Sequence, residues 1–112
     1  MADVVSSQLC PAAALVEGVP IALASPRGEL IVLRSKGRVR AYENRCPHRF
    51  TTLDWVPGRL LSADGAYLQC ATHGALFRLE DGLCIHGPCQ GEALVAIGVT
   101  VREGVVHLEE EP

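Results

Sequence analysis

The sequence predicts an all-β fold, an antiparallel β sandwich or small barrel. Its apolar runs are short, its helical periodicity is weak, and apolar and polar residues alternate in Val39–Tyr42 and Val99–Arg102. Alternation with a period of two places one face of a strand against a core and the other face in solvent. We expect residues 1–112 to form a single domain, because this length suffices to bury a core of its own.

Turn dipeptides ending in glycine divide the chain into hairpins. Glycine tolerates the positive φ that tight hairpin turns require. The dipeptides are Arg27-Gly28, Lys36-Gly37, Asp64-Gly65, Asp81-Gly82 and Glu103-Gly104. The strands predicted around them are Ile21–Ala24, Glu29–Arg34, Val39–Glu43, Tyr67–Cys70, Ala75–Leu79, Leu83–Ile85, Val99–Arg102 and Val105–Leu108. Pro11–Val16 is expected to form one helical turn.

Composition and charge exclude several classes of partner. The net charge is −3 and the 10 Lys and Arg residues are scattered, whereas a nucleic-acid-binding protein needs a basic patch. No apolar run approaches the roughly 20 residues of a membrane-spanning helix. The first residues lack the basic segment of a secretory or twin-arginine signal. We therefore expect a cytoplasmic monomer that binds neither nucleic acid nor membrane.

Two short segments carry the chemistry: Cys46-Pro47-His48, which follows the strand ending at Glu43, and Cys70-Ala71-Thr72-His73, which lies between two predicted strands. Cysteine and histidine are metal ligands, so Cys46, His48, Cys70 and His73 are the candidate ligand set. A zinc finger usually groups like ligands together, with two cysteines followed by two histidines. The mixed order here suits a two-iron cluster to which each segment lends one cysteine and one histidine.

These segments, the first and second boxes, resemble the paired cluster-binding boxes of the Rieske iron-sulfur family, Cys-x-His followed by Cys-x-x-His. The insert between them, Arg49–Gln69, is longer than in compact members, which we attribute to the Asp64-Gly65 hairpin. Ala75-Leu76-Phe77 followed by Asp81-Gly82 is similar to the strand and turn after the second box, and Gly87-Pro88 to the proline loop that shields the cluster. The resemblance implies a Rieske-like fold with a small cluster-binding subdomain of two loops, about residues 43–90.

The resemblance assigns one [2Fe-2S] cluster to this chain, with Cys46 and Cys70 on one iron and His48 and His73 on the other. Two ferric ions, two sulfides and two thiolates leave the oxidised site neutral, so an electron adds more easily than to a four-thiolate cluster. High-potential members resemble a pattern with an extra cysteine in each box and a serine after the second box, and this chain has none of these. Fewer hydrogen-bond donors to the sulfurs imply a low potential.

The function that the resemblance implies is one-electron transfer by a soluble low-potential ferredoxin. Its partners would be a reductase and an acceptor protein such as a ring-hydroxylating oxygenase, and the chain would itself be a carrier and not an enzyme. Three alternatives stay open: the small Rieske subunit of a larger, nitrite-reductase-like enzyme, a redox sensor, and a structural zinc module. Retention of all four candidate ligands counts against a degenerate structural subunit.

The remaining cysteines and histidines have simpler interpretations. Cys10, Cys84 and Cys89 are predicted to be buried thiols, because unligated cysteine is among the most buried residue types. His86 stands between Cys84 and Cys89, which suggests a second metal site only weakly, and it is expected in the loop near the cluster. His107 is interpreted as a structural or solvent-facing residue of the last strand.

Overall fold

The computed structural model describes residues 8–45, 47, 53, 60–70 and 74–109. These residues form ten β-strands and one short 3-10 helix, Ala12–Ala14. The strands are β1 (Gln8–Pro11), β2 (Ile21–Ser25), β3 (Gly28–Ser35), β4 (Arg38–Glu43), β5 (Tyr67–Gln69), β6 (Leu76–Arg78), β7 (Cys84–His86), β8 (Ala96–Ile97), β9 (Val99–Arg102) and β10 (Val105–Leu108). Within the described ranges, no helix has the length and apolar character needed to cross a membrane.

The strands form three sheets. The first has the order β1-β10-β9, the second β2-β3-β4-β8 and the third β5-β6-β7. Each pair of neighbouring strands in these sheets is antiparallel. The all-β antiparallel prediction is therefore confirmed.

Strand β3 is buried on both faces and separates two apolar cores. Leu30 and Val32 lie in the core shared with β10, whereas Ile31 and Leu33 lie in the core shared with the third sheet. All four side chains are fully buried. This double burial explains why the sequence of β3 is a continuous apolar run and not an alternating one. The second sheet is thus the middle layer of the fold.

Tyr42 on β4 ties the middle layer to the third sheet, which carries the second box. Its hydroxyl donates a hydrogen bond of 2.8 Å to the carbonyl of Leu79, just beyond β6. Burial raises the pKa of Tyr42 to about 12, so the hydroxyl remains a donor throughout the neutral range. Gly82 fits against the same ring, since a Cβ there would lie 2.9 Å from Tyr42 Cε1. The second box is therefore built on a hairpin anchored to the central sheet.

The predicted strands lie close to the observed ones, and β9 and β10 match at both ends. The glycine turns are also confirmed: Lys36 and Gly37 have φ of 53° and 77°, the positive values that a tight two-residue turn requires. Two strands were missed. Strand β8 has only two residues, and β1 ends in proline and contains a register shift, so neither presents a periodic pattern. Both obtain their pairing from strands distant in sequence.

The turn between β6 and β7 is held by Asp81, whose carboxylate accepts hydrogen bonds from the Leu83 amide at 3.0 Å and from the Arg78 guanidinium. The bond from Arg78 is the main reason that the pKa of Asp81 falls to about 2. We expect Asp81→Asn to lower the free energy of unfolding at pH 7 by less than about 1 kcal/mol, since the side chains of the pair are 40% and 43% exposed and solvent screens their attraction.

The pH dependence of this effect follows from the depressed pKa. A carboxylate with a lowered folded-state pKa contributes stability above its unfolded value, near 3.9, and loses it as pH falls through the folded value. The difference between wild type and Asp81→Asn should therefore shrink between about pH 4 and pH 2. Urea unfolding at several pH values measures it. A difference that stays constant down to pH 2 would contradict the role of the charge.

Candidate metal centre

The second box is the loop of the β5–β6 hairpin. Gln69 pairs with Leu76, and beyond them the Cys70 amide donates to the Ala75 carbonyl at 2.9 Å. The Gly74 amide then donates to the Cys70 carbonyl at 2.8 Å, which closes the loop. Cys70 is fully buried at the base of this loop. His73, between Cys70 and Gly74, lies outside the described residues.

Gly74 permits this closure through its backbone conformation. Its φ is +71°, in the left-handed region that residues with a side chain rarely adopt. Among the described residues, the atom nearest to a Cβ at Gly74 would be the amide nitrogen of the Gln69 side chain, at 3.7 Å. The left-handed turn conformation is therefore the reason for glycine here.

The first box follows β4. After Glu43, the amide of Asn44 donates to the Glu29 carbonyl at 2.9 Å, so the chain is still tied to the central sheet two residues before Cys46. Cys46 and His48 lie outside the described residues. The chain is again described at Leu53, which is fully buried, and the Leu53 amide donates to Asn44 Oδ1 at 2.8 Å. Asn44 therefore ties the two sides of the first box together.

We expect Asn44→Ala to loosen this closure. The side chain of Asn44 is almost fully buried, so its removal leaves the buried Leu53 amide without the acceptor it has now. An unsatisfied buried donor costs about 1–3 kcal/mol. Urea unfolding should show a loss of that size, and amide hydrogen exchange should show faster exchange at Leu53. Unchanged exchange at Leu53 would refute the assigned role.

The insert between the boxes contains the expected hairpin. Leu61 pairs with Leu68, and the Ser62 amide donates to the Tyr67 carbonyl at 2.8 Å around Asp64-Gly65. The Gln69 amide also donates to the Leu60 carbonyl at 2.8 Å. The hairpin therefore returns the chain directly into β5, which carries Cys70 at its end.

The loop containing Gly87 and Pro88 packs against Ala75, which follows the second box in the chain. A Cβ at Gly87, whose φ is +106°, would lie 2.9 Å from Ala75 Cα and 3.0 Å from Ala75 Cβ. Ala75 is itself 1% exposed and accepts the hydrogen bond from Cys70. The family resemblance indicated a proline loop here, but the need for glycine at its contact point had no signal in the sequence.

A register shift in the β6–β7 pairing separates Cys84 from His86. Phe77 pairs with Cys84 and Leu76 with His86, so Ile85 is an extra residue on β7. Such a bulge breaks the alternation of faces. Cys84 is consequently buried and His86 exposed. The second metal site suggested by this segment gains no support, and the described part of the chain holds no group of three or more potential metal ligands.

The surroundings of Cys70 fit a metal ligand. Its neighbours in the core are apolar side chains and other thiols, among them Leu53, Leu68 and Ala75. A thiolate in apolar surroundings is strongly disfavoured unless a cation or metal neutralises it. Together with the closed backbone loop that begins at Cys70, this donor chemistry suits a metal cluster held at the tip of the β5–β6 hairpin.

The predicted positions of the other cysteines are partly correct. Cys84 and Cys89 are fully buried, as expected. Cys10 on β1 is only partly buried, because β1 is an edge strand of the first sheet, and burial still raises the pKa of its thiol.

Comparison with known proteins identifies a family and relatives that this chain resembles. The family model of the Rieske [2Fe-2S] domain matches residues 6–103. The oxygenase component of chloroacetanilide N-alkylformylase from Rhizorhabdus wittichii is 41% identical over 68 residues, which are 60% of this chain and 18% of that protein. The chain thus spans less than a fifth of the length of this curated relative.

Solved structures show the same fold. The ferredoxin of Sphingomonas yanoikuyae B1 superimposes with a TM-score of 0.74 at 26% identity, over 95% of this chain and 99% of that one. The reduced complex between oxygenase and ferredoxin in carbazole 1,9a-dioxygenase gives a TM-score of 0.76 at 22% identity, over 94% of this chain and 29% of the matched chain. The similarity to the second structure concerns the fold alone.

Proposed function

The chain belongs to the Rieske [2Fe-2S] domain family, and on this basis we propose that it is a one-electron carrier of the ferredoxin type. The observation that carries the proposal is the agreement with the Sphingomonas yanoikuyae ferredoxin, which covers nearly all of both chains. The family implies a [2Fe-2S] cluster, and such a cluster supplies a one-electron redox couple. The protein would carry the electron without catalysing a reaction on a small molecule.

We infer that the ligands are Cys46, His48, Cys70 and His73. The family pattern gives the thiols to one iron and the imidazoles to the other. The described backbone supports this set, since Cys70 sits at the base of a closed hairpin loop and Asn44 ties the two sides of the first box together. Gly87 packs against Ala75, which accepts the hydrogen bond from the Cys70 amide, so its loop supports the base of the second box.

The proposed partners are a reductase that supplies the electron and an oxygenase that accepts it. Ferredoxin and oxygenase occur in one complex in carbazole 1,9a-dioxygenase, which supports an oxygenase as the partner class. A cytoplasmic monomer organised as one domain over residues 1–112 suits such a carrier. Transient electron-transfer contacts are small, commonly below about 1,200 Å² of buried surface.

We expect a reduction potential in the lower part of the Rieske range of roughly −150 to +300 mV. The second box is followed by Gly74 and Ala75, so no hydroxyl side chain stands there to donate a hydrogen bond to the sulfurs. A spectroscopic redox titration of the purified protein measures the potential. A value near the upper end of the range would refute the inference of a low potential.

The experiment that tests the function is reconstitution of electron flow. Purified protein should be red-brown and give a rhombic electron paramagnetic resonance signal on reduction, whereas a zinc module would be colourless and silent. Added to a ferredoxin reductase and a Rieske oxygenase, it should support product formation that depends on its concentration. A coloured protein that accepts electrons but passes none to any oxygenase would refute the carrier proposal and favour a sensor.

A second candidate is the same redox role within a larger oxygenase. It is favoured by the 41% identity to the oxygenase component of Rhizorhabdus wittichii, of which this chain would correspond to one part. The two candidates differ in their electron donor. We expect a carrier to take its electron directly from the reductase, and a Rieske domain within an oxygenase to take it from a separate ferredoxin, as in the complex of oxygenase and ferredoxin in carbazole 1,9a-dioxygenase. Stopped-flow reduction with and without an added ferredoxin distinguishes them.

A further inference from the structure

Two buried thiols outside the proposed ligand set face each other. The Sγ atoms of Cys84 and Cys89 lie 2.9 Å apart, and the two residues are 1% and 0% exposed. The thiol of Cys84 also lies 3.2 Å from the His86 carbonyl. Both belong to the core that contains Cys70. The pair therefore lies in the same core as the second box, without being part of the box.

The backbone around the pair fixes this approach. The Cys84 amide donates to the Glu92 carbonyl at 2.8 Å, and the Gly91 amide donates to the Cys84 carbonyl at 3.1 Å. The Glu92 amide donates in turn to the Cys89 carbonyl at 2.8 Å, which closes a turn. Residues 84 and 89 are thus held at the base of one loop by hydrogen bonds that do not involve their side chains.

We propose that Cys84 and Cys89 are a redox modification site that forms a reversible intramolecular disulfide. Two S–H bonds break and one S–S bond forms, with release of two protons and two electrons. A disulfide oxidant of the glutathione class accepts the two electrons and the two protons and becomes two thiols. The sulfur atoms need to approach from 2.9 Å to about 2.05 Å, a small movement for a loop.

The disulfide would act on the loop that packs against Ala75, next to the second box. The six-residue segment from Cys84 to Cys89 contains Gly87, which packs against Ala75, and Pro88. Closing this segment into a ring restricts the opening of the loop, because a cross-link removes open conformations. Since both thiols are buried, the first exchange step requires the loop to open. Oxidation therefore begins from the open state of the loop, and the disulfide it forms then keeps the loop closed.

Thiol trapping with peptide mapping tests the proposal. The purified full-length holoprotein is equilibrated with buffers of increasing oxidised-to-reduced glutathione ratio, quenched in acid, and alkylated under denaturing conditions. Cleavage after Arg78 and Arg102 gives the single peptide Leu79–Arg102, which contains Cys84 and Cys89 and no other cysteine. As the ratio rises, we expect the doubly alkylated peptide to be replaced by an unalkylated peptide that is two hydrogen masses lighter than the dithiol form. Reduction before alkylation should restore the doubly alkylated peptide.

Variants separate the pair from other thiols. Cys89→Ser should leave the peptide with one thiol that never forms the internal disulfide, whereas Cys10→Ser should behave as wild type. The visible absorbance of the iron-sulfur centre is recorded in parallel. The proposal is overturned if the wild-type peptide keeps both thiols in excess oxidised glutathione, if it carries only glutathione adducts, or if the disulfide appears only after the absorbance is lost.

Discussion

Cys70→Ser is expected to remove most of the bound iron and most of the visible absorbance. Cys70 is fully buried, and its backbone makes both hydrogen bonds that close the second box. Serine keeps these backbone bonds and nearly the same volume, so the change replaces a soft sulfur ligand by a hydroxyl, which suits an iron-sulfur cluster poorly. Iron and sulfide analysis after purification, together with the absorption spectrum, measures the loss.

Cys10→Ser is the matched control for this prediction. Cys10 carries the same thiol on β1, in the first sheet, and packs against the core on the opposite side of the middle layer. The control should retain its iron and its spectrum. If Cys70→Ser kept a full complement of iron with an unchanged spectrum, Cys70 would not be a ligand. Far-ultraviolet circular dichroism of both variants shows whether loss of iron is accompanied by loss of fold.

The hairpins could be predicted from the sequence because their signals are local. Lys36-Gly37 is a turn that its two residues specify between themselves, and the strands on either side follow from it. The short strand β8 could not be predicted, since Ala96 and Ile97 become a strand only by pairing with Tyr42 and Ala41, far away in sequence. Local chemistry is visible in the sequence, whereas pairing supplied by tertiary structure is not.

The candidate site divides in the same way. The types and spacing of Cys46, His48, Cys70 and His73 predict a ligand set, because metal ligation depends on side-chain chemistry that the sequence displays directly. The contacts that support the site depend on how separate segments pack together, and the sequence did not predict them. The bond from Leu53 to Asn44 joins the two sides of the first box, and the bulge at Ile85 turns His86 away from Cys84. The pairing of Cys84 with Cys89 was also hidden, since it depends on how their loop folds back.

Gly87→Ala is expected to have the largest effect on the stability of the site among changes outside the ligands. The new methyl group would lie 2.9 Å from Ala75 Cα and 3.0 Å from Ala75 Cβ, which real contacts do not tolerate without movement. Because Ala75 is backbone-bonded to Cys70, it cannot retreat freely, so the loop is expected to lift instead. Overpacking of this kind costs about 1–3 kcal/mol, in addition to about 1–3 kcal/mol for a side chain at positive φ.

Gly91→Ala separates these two contributions. Gly91 lies in the same loop with a φ of +94°, close to the +106° of Gly87, but a Cβ there would meet no atom of the described residues within 4 Å. Both variants therefore share the backbone strain, and only Gly87→Ala adds the clash with Ala75. The free energies of unfolding should differ by about 1–3 kcal/mol, with Gly87→Ala the less stable. Equal destabilisation would show that the contact with Ala75 is unimportant.

The lifted loop should also expose the iron-sulfur centre. If removal of iron by a chelator requires the Gly87 loop to open, a closed state weakened by about 1.4 kcal/mol speeds the removal about tenfold. Gly87→Ala should therefore bleach at least severalfold faster than Gly91→Ala at equal chelator concentration. Gly87→Ala and Gly91→Ala share the backbone strain of a side chain at positive φ. Faster bleaching of Gly87→Ala alone is therefore assigned to the lost contact between the loop and Ala75. Equal bleaching rates in the two variants would mean that iron removal does not require this loop to open. The loop would then support the second box without limiting access of the chelator to the iron.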